Sequence, residues 1–143
     1  MRSFFLPPES STRLGSALLF LRVIAGAGLI FHGWGKIQTP FSWMGEGAWA
    51  PPFLQALAAF SEVFGGFALI VGLLAPLAAL GVACTMIGAV AQHMAKGQPF
   101  VGRGGSWELA SLYLAIALLI LLNGPGKFAL DTLLRQRFVR DRQ

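Results

Sequence analysis

Two histidines and one glutamate, His32, His93 and Glu108, fall where apolar stretches of this chain end or begin. Histidine has an ordinary pKa near ~6.5 and exchanges protons at working pH, and a carboxylate nearby can hold its protonated form. Counted along ideal helices at ~1.5 Å per residue, both histidines come to ~26–27 Å from the far edge of a bilayer core. Glu108 opens a further apolar stretch on that same side. Together they are the candidate catalytic set, suited to redox steps in which protons accompany electrons. Lys36 and Arg103 lie close by in sequence and are candidates for attracting an anionic substrate. Each residue also has a plainer role: histidines are common at interfaces, and a glutamate in a first helical turn suits the helix dipole. Two histidines and a carboxylate could ligate a transition metal. They lack ligand spacing on any one helix, and no metal is expected.

A second pair of charges sits deeper. Arg22 lies inside the apolar run "ALLFLRVIAGAGLIFHGWGKI" and Glu62 inside "FSEVFGGFALIV". By helix rise, Arg22 is ~12 Å from the inner edge and Glu62 ~15 Å from the outer edge of a ~30 Å core, nearly one level. A lone charge there costs at least ~2.5–3.5 kcal/mol on insertion scales. The matching depths predict a buried intramembrane pair between Arg22 and Glu62.

These residues need a frame that lives in lipid. The 143 residues are 55% hydrophobic and only 12% charged, about half the ~25% charged share of soluble domains. Four stretches, near residues 14–35, 52–73, 76–95 and 107–122, approach the ~20 apolar residues a bilayer core demands. Gly- and Pro-rich segments separate them: "QTPFSWMGEGAWAPP", "GLLAP", "KGQPFVGRGGS" and "NGPGK". Ser106 is the expected N-cap of the fourth span. The fold class is therefore an all-α membrane protein, a four-transmembrane-helix bundle occupying residues 1–143 as one domain. In the basic tail, residues 124–143, Leu130, Leu133, Leu134 and Phe138 follow helical spacing and predict a short amphipathic helix on the membrane surface.

The net charge of +5 does not indicate nucleic acid, because five of the eleven Lys and Arg lie from Lys127 onward. Basic residues beside apolar spans point to topology and anionic lipid. Arg2, Arg13 and that tail outnumber Lys36, Lys96 and Arg103 on the other side, which predicts both termini in the cytoplasm. Trp34, Trp43, Trp49 and Trp107 would then form an outer aromatic belt. Pro7, Pro8 and Glu9 before the first run, and Arg22 within it, argue for a retained first helix rather than a cleaved signal. The single cysteine, Cys84, excludes an intramolecular disulfide and a CxxC redox pair.

Three segments, "LRVIAGAGLIFHGWGKI", "FSEVFGGFALIVGLLAPLAAL" and "GPGKFALD", resemble in order the DoxX family of bacterial four-helix membrane proteins. The matching positions are Arg22, His32, Gly33, Lys36, Glu62, Gly65, Gly66 and Asp131. Ala75 stands where that family often has Thr, and Ala129 where Ser is common; the second change is expected to weaken capping there. The resemblance implies a multi-pass protein of the bacterial cytoplasmic (inner) membrane linked to redox metabolism. It implies either the membrane subunit of a thiosulfate:quinone type of oxidoreductase or the partner of a soluble thiol- or superoxide-handling enzyme. Quinone is the cofactor such a role would use. The alternative is a non-enzymatic scaffold that recruits a soluble partner to the bilayer. No haem-ligand pair with a supporting motif, iron–sulfur cysteine set, GxGxxG unit or dithiol occurs, so electrons would come from a partner or from the substrate itself.

Overall fold

A computed structural model describes residues 11–140, with side chains to residue 137. Arg2, Pro7, Pro8, Glu9 and Arg142 lie outside the described residues, as do the side chains of Phe138 and Arg140. The described chain is helical with no strand. In order the elements are α1 (Thr12–Gln38), α2 (Pro52–Val71), α3 (Ala75–Ala95), α4 (Glu108–Asn123) and α5 (Leu130–Arg140). The first three are long and apolar enough to cross a membrane, and α4 is a shorter apolar helix of ~24 Å. The all-α bundle expected from the sequence is the fold.

The polarity is inverted relative to a soluble protein. Phe20 is 70% and Phe31 82% exposed, and Phe53, Phe60, Phe64 and Phe67 form an exposed ridge on α2. A monomer in water rarely presents so much contiguous apolar surface, whereas hydrocarbon solvates it without cost. The interior is built from small residues. On α1 the buried positions are Gly15, Leu18, Arg22, Ala25, Gly26, Leu29 and Gly33, a stripe at steps of three and four. That stripe packs on α2, where Gly66 meets Gly26: a Cβ added to Gly26 would lie 2.5 Å from the Gly66 carbonyl oxygen. Small residues let the two backbones approach, the usual device for helix association in lipid.

This crossing fixes the register of α1 against α2. Gly33 packs on Glu62 and Val63, Gly26 on Gly66, and Arg22 reaches Gly72 at the far end. The first two turns of α1 extend past the end of α2, where Gly15 packs on Lys127 and Phe128. Lys127 Nζ donates to Thr12 Oγ1 at 3.1 Å, so the start of α1 and the segment after α4 share one end of the bundle.

The turn from α2 to α3 is tight. Gly72 closes α2 in the left-handed region, φ +73°, and donates to the Ala68 carbonyl; glycine takes this C-terminal conformation without strain. Leu74, at φ +49°, also lies in that region. It is held there by Asp131 from α5, whose two carboxylate oxygens accept from the backbone N–H groups of Leu74 and Ala75 at 2.8 Å each. A carboxylate on free N–H groups at a helix N-terminus matches both the hydrogen-bonding need and the dipole. Ala129 therefore does not decide the capping: it is fully buried, and packs where a Cβ on Gly72 would reach. Ala75, likewise fully buried, opens α3 itself. Ser106 is not the cap of α4 either. Trp107 holds that position without a side-chain bond, and the Glu108 N–H is met by the Phe100 carbonyl at 3.1 Å.

Candidate functional site

The register separates the two charges expected to pair. Glu62 bonds Lys36: Nζ lies 2.6 and 2.7 Å from the two carboxylate oxygens. Arg22 bonds no carboxylate. Its Nη1 donates to the carbonyls of Leu69 at 3.0 Å and Ile70 at 3.5 Å, and Nη2 to that of Phe128 at 3.2 Å. The predicted Arg22–Glu62 pair is thus corrected. Both residues are buried, Arg22 completely and Glu62 to 2% exposure, but at opposite ends of α2. The depth count failed because it took Leu14 as the membrane edge, whereas the C-terminal end of α2 is level with Arg22.

Arg22 belongs to the end of the bundle where α2 stops. The last carbonyls of α2 have no partner within the helix, and a guanidinium, with five donors in a planar fork, can satisfy several at once. Its charge also suits the negative end of the α2 dipole. The same side chain holds the segment before α5 through Phe128. Arg22 and Asp131 together tie α1, α2, α3 and α5 into one knot.

The opposite end gathers most of the other polar side chains that α1 and α2 place in the bundle. On α1, Gly28, His32 and Lys36 recur at steps of four and so form one strip along the edge of the buried stripe. Lys36, 28% exposed at its side chain, is held between Glu62 and the indole face of Trp43, with Nζ 4.7 Å from the ring centroid. Such a cation–aromatic contact strengthens where water is scarce. Trp43 belongs to the loop after α1, and that loop is pinned by buried Gln55. Trp43 Nε1 donates to the Gln55 carbonyl at 2.9 Å, Met44 N–H to Gln55 Oε1 at 3.1 Å, and Gln55 Nε2 to the Ala50 carbonyl at 2.9 Å. The end of α1, the loop after it and α2 therefore converge to seat one ammonium on one carboxylate.

One turn below Lys36, His32 meets Tyr113 of α4 edge to face, ring centroids 6.1 Å apart. The structure thus places His32 beside Tyr113, one turn along α1 from Lys36. The other two members of the expected catalytic set stand apart from it. His93 Nδ1 is bonded to Gln98 Oε1 within the loop after α3. Glu108 is partly exposed at the start of α4, and no hydrogen bond or ion pair joins any two of His32, His93 and Glu108 among the described residues. No three His, Cys, Asp or Glu side chains among the described residues come together as a metal site. Arg103 is exposed in the loop before α4, and Lys36, expected to attract an anion, already has its counter-ion.

Sequence reasoning missed Trp43, Gln55 and Tyr113 as parts of this site. Tyr113 is the chain's one tyrosine, a polar ring midway through an otherwise apolar span, and that was the available signal.

No curated protein and no solved structure matches the chain significantly. The DoxX family model matches residues 17–95, more than half of the sequence and the whole stretch that carries Arg22, His32, Lys36, Glu62 and the Gly26–Gly66 crossing. The chain belongs to the DoxX family and is a multi-pass membrane protein.

Proposed function

We propose that this protein is the membrane component of a redox system, quinone- or sulfur/thiol-linked, and that it handles protons at the outer end of its bundle. The observation that carries the reading is the Glu62–Lys36 pair under Trp43, with His32 and Tyr113 one turn away. A buried carboxylate held by an ammonium, next to an imidazole and a phenol, can pass a proton along groups that differ in affinity for it. Ionisable groups kept inside a membrane bundle are costly and mark proton or substrate paths. The electrons come from a soluble oxidoreductase partner or from a reduced sulfur substrate, since no redox cofactor motif occurs in the sequence.

Activity is expected to separate from folding at His32. His32→Gln should accumulate in the membrane like the wild type, because the side chain is exposed and its contact is one ring edge. Quinone reduction in membranes supplied with the partner should fall by about a hundredfold or more, the range for a lost acid–base group, with a changed pH profile. Equal activity and an unchanged profile would sink the reading and leave the scaffold role. His93→Gln and Glu108→Gln, measured alongside, decide whether the outer loop residues share the work.

The proposed orientation puts both termini in the cytoplasm of a bacterial inner membrane. It rests on seven Lys and Arg in the two terminal segments of the sequence against Lys36, Lys96 and Arg103 near the other span ends. A reporter fused after Gln143 should be active only if it is of the cytoplasmic kind. A periplasmic reporter that works there would turn the Glu62–Lys36 end to face the cytoplasm.

A further inference from the structure

The loop between α1 and α2 stands on one buried side chain. Gln55, in the first turn of α2 and 3% exposed, bonds both feet of an arch that runs from Trp43 to Ala50. Its Oε1 accepts from the Met44 N–H and its Nε2 donates to the Ala50 carbonyl. The Trp43 indole N–H adds a third tie, to the Gln55 backbone carbonyl. The crown of the arch is free by comparison. Glu46 and Trp49 are exposed, and Gly45 and Gly47, at φ +78° and +74°, stand in open space. Glycine takes this conformation at no steric cost, so the backbone can turn at both points. The arch has a firm base and a loose crown.

That base lies over the ion pair. The Glu62 side chain is 3% exposed and that of Lys36 28%, so water at this end meets the ammonium before it meets the carboxylate. Trp43, half-buried, sets its ring over Nζ from the other side. A buried amide is tolerated only where its hydrogen bonds are made. Both side-chain bonds of Gln55 go to the loop, and none joins one helix to another among the described residues. Packing α2 into the bundle would ask only for an apolar side chain at that position. What the amide adds is a hold on the loop, and through the loop on Trp43.

We propose that the arch from Trp43 to Ala50 is a lid on the Lys36–Glu62 pair, and that Gln55 is the positioning residue that keeps it shut. Release from Gln55 frees Trp43 to leave Nζ, with Gly45 and Gly47 taking up the change in the backbone. Water then reaches the pair. That the pair exchanges protons with this water rests on the redox reading above; the lid itself rests on the bonds of Gln55 and the place of Trp43.

The test is the rate at which a water-soluble acylating reagent, sulfosuccinimidyl acetate, modifies Lys36 in the full chain held in lipid nanodiscs. Peptide mass spectrometry resolves the sites, and Lys96, exposed at the end of α3, is the internal reference. Gln55→Met keeps the side-chain length and removes both of its bonds; Trp43→Phe keeps a ring and removes the indole N–H. Each should speed acylation of Lys36 relative to Lys96 by about tenfold, the upper range for one lost hydrogen bond. Trp49→Phe, in the exposed crown, should leave the ratio unchanged. A ratio that ignores both Gln55→Met and Trp43→Phe would overturn the lid, whatever the activity does. An equal rise with Trp49→Phe would also overturn it, because the loop would then loosen without reference to Gln55. If Gln55→Met fails to accumulate, Trp43→Phe against Trp49→Phe decides. A faster Lys36 in the first two variants, beside an inert His32→Gln, would keep the lid and sink the redox reading.

Discussion

Arg22→Met is expected to destabilise the protein by about 3–5 kcal/mol, because carbonyls of α2 and of the segment before α5 lose charged donors at once. The cost does not come from stranding Glu62, which keeps Lys36. Adding Glu62→Gln to Arg22→Met should therefore bring no recovery, and the two effects should add within about 0.5 kcal/mol, as for distant sites. Arg22→Lys should fall between, since one ammonium keeps the charge but cannot span carbonyls on two segments as a planar fork does. Asp131→Asn should couple to Arg22→Met, because both act on the same knot. The measurement is the unfolding midpoint in detergent with membrane accumulation beside it. Recovery of Arg22→Met by Glu62→Gln would mean that the register of α1 on α2 is wrong.

The second large effect is at the other end. Lys36→Met should cost about 3–5 kcal/mol while Glu62 stays charged, the usual penalty for leaving a buried ion without its partner. Replacing both, Lys36→Met with Glu62→Met, should recover most of it, since apolar residues of similar volume often replace a buried pair at little cost. The cycle should be non-additive by about 2 kcal/mol or more, as for residues in direct contact. Purely additive losses would mean that the 2.6 Å contact contributes nothing to stability.

How far the sequence disclosed these arrangements depends on what sets them. Helices were legible because the apolar runs are long and Gly/Pro breaks are sharp; the observed ends differ from expectation by a few residues. The residues of the polar core were legible too, since a charge inside an apolar run is conspicuous. Their partners were not. Pairing depends on how far one helix slides along another, and counting from assumed membrane edges misplaced α1 by about two turns. The Gly26–Gly66 contact carries the missing information, because there the α1 and α2 backbones come so close that neither position has room for a Cβ. Setting those glycines opposite each other brings Glu62 to Gly33 and Arg22 to Gly72. Loop contacts lay further out of reach. Trp43 over Lys36 and Asp131 on the turn after α2 depend on chain segments that carry no periodic pattern, so nothing in local sequence announces where they land.

The central claim is that the Lys36–Glu62 pair works rather than merely holds α1 to α2. The doubly substituted Lys36→Met, Glu62→Met protein separates the two roles, since it keeps the packing and removes every proton the pair could carry. Its accumulation in the membrane and its partner-supplied quinone reduction across pH should be measured on the same preparation. Normal accumulation with activity lost by about a hundredfold, as when a positioned acid–base group is removed, is the predicted result. Normal accumulation with full activity and the wild-type pH profile would contradict it, leaving the pair a structural staple.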